Sequence, residues 1–139
     1  MSYCTQADLI VRFGAAEITQ LSDRAGLGTL DSAIIAGAIA DADAEIDGYL
    51  SGRYALPLAN VPMVITRIAC DITRYWLFGQ DVTDLVKDRY DQAVSYLGQV
   101  AKGTIGLGPD ATGAEPASQS GSSLIQSDSR GFSAGLDAL

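Results

Sequence analysis

Carboxylates stand at every second position of ADADAEID, as Asp41, Asp43, Glu45 and Asp47, and alternating oxygen ligands are how a calcium-binding loop opens. Such a loop needs a glycine at its sixth position and a bidentate acid at its twelfth. Here those places hold Ile46 and Gly52. On a helix, moreover, Asp41 and Asp43 point about 200° apart and cannot share one ion. Paired acids also serve glycoside hydrolysis, but no aromatic cluster accompanies these to line a sugar cleft. The expectation is therefore a solvated acidic face, with no metal, no cofactor and no catalytic group assigned to it.

Other chemistry is equally poorly supplied. The chain has no histidine, which removes the usual general base, the commonest metal ligand and the switch that titrates near neutrality. Cys4 and Cys70 lie too far apart in sequence to suggest a disulfide framework or a zinc site, and read as two buried thiols. Gly26-x-Gly28 and Gly103-x-x-Gly106-x-Gly108 do not lie between a strand and a helix, and neither leads into Lys-Ser/Thr, so they are not phosphate loops. With no nucleophile–base pair to assemble, the expectation is a protein that is not an enzyme. Seventeen acidic against nine basic residues give a formal net charge of -8, which disfavours nonspecific binding of nucleic acid or of an anionic membrane. The N-terminus lacks a basic region followed by a long apolar core, and no window approaches a membrane span.

The acids must be positioned by a long helix. Between Asp31 and Tyr54, residues Ile35, Ala38, Ile39, Ala42, Ile46, Tyr49 and Leu50 recur three and four apart and predict one buried stripe. Asp31 suits the cap, and Gly48 with Ser51-Gly52 predicts the end. Asp41 and Glu45 form one row beside the stripe, and Asp43 and Asp47 another. Opposite the stripe lie Ala33, Gly37, Ala40, Ala44, Gly48 and Ser51, a small-residue back that would admit a close neighbour.

Around this helix the chain supplies its partners. Thr5 and Asp8 predict a capped first helix that buries Leu9, Ile10 and Phe13 and ends at Gly14, followed by a short helical turn over Ala15 to Leu21. That outline resembles a DNA-reading module, yet only Arg12 and Arg24 are cationic there, so its role reads as structural. Pro57 and Pro62 hold the next segment out of the helical region, with Pro62 suited to open the helix Met63 to Phe78. That helix should bury Ile65, Ile68, Ala69, Ile72 and Trp76 and place Arg67 and Arg74 nearer the polar side. A last helix, capped by Thr83 or Asp81, carries Leu85, Val86, Tyr90, Ala93, Val94, Leu97 and Val100 or Ala101 and stops at Gly103. Arg53, Arg67 and Arg74 should pair with the acidic rows, within a subunit or across an interface. The expected fold is all-α: a bundle of three main helices plus a short N-terminal one, spanning residues 1–102. A Gly/Ser-rich arm over residues 103–139 follows, extended and able to form β structure, and Leu124, Ile125, Phe132 and Leu136 recur along it as anchors for a neighbouring chain.

Several of these residues also carry a resemblance. Tyr3-Cys4-Thr5-x-x-Asp8-Leu9, Arg12-Phe13-Gly14 and Gln20-Leu21-Ser22-Asp23-Arg24 are similar to the Mu-like phage head–tail connector family, the gp36 proteins. The run Ile46-Asp47-Gly48-Tyr49-Leu50-Ser51-Gly52-Arg53-Tyr54-x-Leu56-Pro57-Leu58 with Val61-Pro62 is its most specific part, and Ser129-Arg130-x-Phe132-Ser133 resembles the family's ending. The final Leu136-Asp137-Ala138-Leu139 departs from that ending. The resemblance implies a structural protein of the virion neck, assembled in the host bacterial cytoplasm. Its copies would form a homo-oligomeric ring of about twelve between the portal protein and the next neck or tail-terminator protein. DNA would pass through the ring without specific binding, and no membrane would be involved. In that setting Arg53, Tyr54, Leu124, Ile125, Arg130, Phe132 and Leu136 become candidates for subunit or partner contacts, and Asp41, Asp43, Glu45 and Asp47 candidates to face the channel. The acidic rows also suit a second class, a small acidic protein-binding module such as a DNA-mimicking inhibitor.

Overall fold

Thr5 and Asp8 start the first helix as a reciprocal cap: the Asp8 N–H donates to Thr5 Oγ1 at 3.1 Å, and the Thr5 N–H donates to Asp8 Oδ2 at 2.9 Å. A computed structural model describes residues 2–109 and 113–118 of the 139, and places five helices in them. They are α1 (Gln6–Phe13), α2 (Ala15–Ser22), α3 (Ser32–Leu50), α4 (Met63–Phe78) and α5 (Asp84–Lys102), with a single 3₁₀ turn over Gly79–Asp81. No strand occurs among the described residues, so the all-α expectation holds. The second turn of helix is a full eight-residue helix, equal in length to α1. Gly14 makes the corner between them at φ +94, a conformation that a residue with a Cβ adopts only under strain.

Helix α3 begins where Asp31 predicts, with that carboxylate accepting from the N–H groups of Ala33 and Ile34. Its stripe of Ile35, Ala38, Ile39, Ala42, Ile46 and Leu50 is buried, whereas Tyr49 is only partly covered. Pro62 sits one place earlier than expected, as the N-cap of α4. α4 is the central helix, packed against α3 on one side, α5 on another, and α1 and α2 on a third. Being surrounded explains why Cys70, Asp71, Thr73 and Leu77 are buried in addition to Ile65, Ile68, Ala69 and Ile72. Trp76 departs from the predicted core face and is 43% exposed, and Leu85 of α5 likewise faces outward. The apolar period locates a face but not how far along each helix a neighbour extends. Trp76 lies near the end of α4 and Leu85 near the start of α5, where cover runs out. Thr83, rather than Asp81, caps α5 by accepting from the Val86 N–H.

α5 ends at Gly103 in the left-handed region, whose N–H returns to the carbonyls of Gln99 and Val100. The chain then folds back on the bundle. Leu107 is buried in the core, and the Pro109 carbonyl accepts from the Met63 N–H at 3.0 Å.

Candidate interaction site

The segment leaving α3 fixes one end of the bundle. Leu50, Tyr54 and Leu58 are buried, which places Arg53 between them on the rim, half-covered. Its guanidinium donates from Nη1 to the Val100 carbonyl at 3.0 Å and from Nη2 to Ser118 Oγ at 3.2 Å. The first bond adds a second donor, beside the Gly103 N–H, to a carbonyl in the last turn of α5, where the helix dipole also favours a cation. The same nitrogen would lie 3.1 Å from a Cβ built on Gly103, so a glycine there both closes the helix and leaves room for the arginine. Ser118 Oγ in turn donates to the Arg53 carbonyl at 3.3 Å, and Ser118 forms an isolated antiparallel bridge with Tyr54. The Tyr54 hydroxyl accepts from the Leu107 N–H at 3.3 Å. Arg53 and Tyr54 thus clasp the end of α5 and two points of the following segment within one subunit.

The acidic rows of α3 are occupied too. Asp43 Oδ1 accepts from the Tyr3 N–H at 3.0 Å, and Asp47 accepts from the Tyr3 hydroxyl. Burial, then the Asp47 hydrogen bond, holds the Tyr3 phenol well above its ordinary range. Glu45 accepts from Trp76 Nε1 at 3.1 Å and from the Tyr90 hydroxyl at 2.7 Å, while Tyr90 stacks on Tyr75 with centroids 3.9 Å apart. Burial and Glu45 likewise raise the Tyr90 phenol. The rows therefore pin the N-terminus, α4 and α5 to α3. Asp41 is exposed and has no ion-pair or hydrogen-bond partner among the described residues. The small back of α3 is exposed as well, and a Cβ added at Gly37 or Gly48 would meet nothing within 4 Å.

Of the two arrangements expected for the arginines, pairing with the α3 rows inside the subunit does not occur among the described residues. Arg74 makes a two-pronged bond to Glu17 of α2, at 2.7 and 2.9 Å, and lies over the Phe13 ring. Arg67 reaches Asp71, one turn on, at 3.5 Å. Asp71 is the least expected feature, a carboxylate 4% exposed in the middle of α4. Burial raises its pKa, and Arg67, Arg89, Arg12 and Arg74 oppose that rise. Arg74 pairs across helices, a tertiary fact that α4's sequence alone does not carry, whereas the Arg67–Asp71 pair lies within α4 itself. Cys4 and Cys70 are both buried and free, with Cys4 Sγ 3.6 Å from Thr73 Oγ1. The neighbouring Cys4 thiol, together with burial, pushes the Cys70 thiol far up. Among the described residues no group of three or more metal-ligating side chains converges. Leu124, Ile125, Arg130, Phe132 and Leu136 lie outside the described residues.

The model of the family "Bacteriophage Mu, Gp36" matches residues 3–126. The Mu-like prophage FluMu protein gp36 of Haemophilus influenzae is 38% identical over 106 residues, which cover 76% of this chain and 75% of the relative. Gene product J of Escherichia phage Mu is 34% identical over 127 residues, 91% of this chain and 89% of the relative. The chain belongs to the bacteriophage Mu Gp36 family.

Proposed function

We propose that this phage protein is a structural head–tail connector of the virion neck. Copies assemble head-to-tail into a closed ring of about twelve, held by heterologous contacts between different faces of neighbouring subunits. The ring joins the portal protein to the next neck or tail-terminator protein, and DNA passes through without specific contacts, helped by the net charge of -8. In this reading the protein is not an enzyme, and its work is positional.

The observation that carries the proposal is the clasp at the exit of α3. Arg53 and Tyr54 hold Ser118, the last described residue, against one end of the bundle. That is the arrangement a subunit needs to offer Leu124, Ile125, Arg130, Phe132 and Leu136 to a neighbour. Asp41, Asp43, Glu45 and Asp47 remain the proposed channel-side charge, with Asp41 the one that has no partner among the described residues. The commitment of the other three to tyrosine and tryptophan partners weighs against a DNA-mimicking inhibitor, which needs its acids free.

Removal of the gene from an inducible prophage tests the role. The expected result is DNA-filled heads and free tails that do not join, with joining restored by the intact gene. Normal yields of tailed particles would refute it.

A further inference from the structure

At the end of the bundle opposite the clasp, two adjoining hollows of about 590 and about 290 Å³ share Arg24, Trp76 and Leu77 as walls. The exposed part of Trp76 faces this groove, between the start of α3 and the end of α4. The groove is firmly built: Arg24 Nη2 donates to the Leu77 carbonyl at 3.2 Å and its Nε to the Leu21 carbonyl at 3.1 Å, while Glu45 holds the indole N–H. Asp41 borders one hollow and Asp81 the other, and neither has a partner among the described residues. The combination is an aromatic wall with Asp41 and Asp81 at its rim and the Arg24 guanidinium turned onto the Leu21 and Leu77 carbonyls, of a size that ligand-binding clefts commonly have.

The chain itself carries a matching segment. Beyond Lys102, Arg130 is the sole basic residue and Phe132 the sole aromatic one. Residues two apart share a face wherever a backbone is extended, so a segment docked in that form would seat Phe132 in the groove as Arg130 meets the rim carboxylates. Phe132 lies 14 positions past Ser118, a reach of at most about 50 Å. α3, which separates the clasp from the groove, spans about 28 Å. We infer that the groove around Trp76 is the receptor for the Arg130–Phe132 segment of a second copy of this chain. This rests on the proposed ring: a segment leaving one end and a receptor at the other join copies head-to-tail, a linkage that the same contact made inside one subunit would not provide.

Trp76 is the only tryptophan, so its emission reports the groove directly. In the full-length assembled protein, Phe132→Ala should red-shift that emission to the position reached by the intact protein on dilution to monomer. Mixing in a second variant, Trp76→Phe with Phe132 intact, should restore the blue-shifted emission of the Phe132→Ala copies, since only those fluoresce and only the other copies carry the phenyl ring. Circular dichroism of both variants verifies folding, and Arg130→Glu supplies an independent variant with the same expected red shift. Emission unaffected by Phe132→Ala and Arg130→Glu in a protein that still forms rings would overturn the inference and leave the connector reading intact. A shift that mixing does not restore would overturn the second copy as donor. A native mass that stays monomeric at all concentrations would overturn both.

Discussion

Arg53 spans 47 positions of sequence to donate from Nη1 to the carbonyl of Val100 at 3.0 Å. One side chain thereby couples the exit of α3 to the end of α5 and, through Ser118, to the segment that follows. The most specific stretch of the sequence is in this sense a structural clasp first, and any role at an interface is built upon it.

Arg53→Ala removes two hydrogen bonds from a charged donor and leaves the Val100 carbonyl without that partner. It should lower stability by about 2 kcal/mol in denaturant titrations. Protease cleavage within residues 103–118 should accelerate in parallel. Arg53→Lys keeps the charge but not the fork and should fall between the two. Unchanged cleavage in the alanine variant would mean that the clasp does not hold the segment.

Asp71→Asn should stabilise the protein at pH 7 by on the order of 1 kcal/mol, because a buried ionised carboxylate costs more than its 3.5 Å contact with Arg67 returns. The folded-state pKa is raised above 3.8, so the folded protein holds this proton more tightly than the unfolded chain does. Stability attributable to Asp71 is therefore lost as pH climbs from about the unfolded value through the folded one, and the asparagine variant should lack that decline. Thermal melts of both proteins across this window decide it. An asparagine variant that melts lower at pH 7 would show the ion pair to be a net contributor.

Glu45→Ala deprives Trp76 and Tyr90 of their shared acceptor and should cost about 1–2 kcal/mol. The Tyr90 phenol should then titrate at lower pH, since one of the influences raising it is gone. Ultraviolet difference spectra during alkaline titration follow that change.

Cys4 and Cys70 are 1% and 0% exposed, so a thiol reagent should leave both untouched in the native protein and label both once denaturant is added. Rapid labelling of either under native conditions would contradict the packing of the N-terminal segment against α4.

The caps and apolar periods were legible because they are local: Thr5 with Asp8, Asp31, Thr83 and Gly103 each act within a turn of their own helix. The α3 stripe was legible for the same reason. What the sequence could not show was who meets whom. By spacing Glu45 belongs to a solvated row, yet its partners lie 31 and 45 positions away on α4 and α5. Tyr3 stands out in the sequence only as part of a family motif, though its hydroxyl and N–H are what engage Asp47 and Asp43. The burial of Asp71 has no signal in the sequence, because the helical period says which way a side chain points and not how many helices surround it. The groove at Trp76 exists only through the packing of α2, α3 and α4, and no spacing within any one of them announces it.

The central claim is the protein's place in the particle, and an asymmetric cryo-electron microscopy reconstruction of the virion neck tests it most directly. The expected result is a ring of five-helix subunits between portal and tail, into which the α3–α4–α5 bundle fits as a rigid body. Density for that bundle elsewhere in the particle, or its absence from purified infectious virions, would contradict the account.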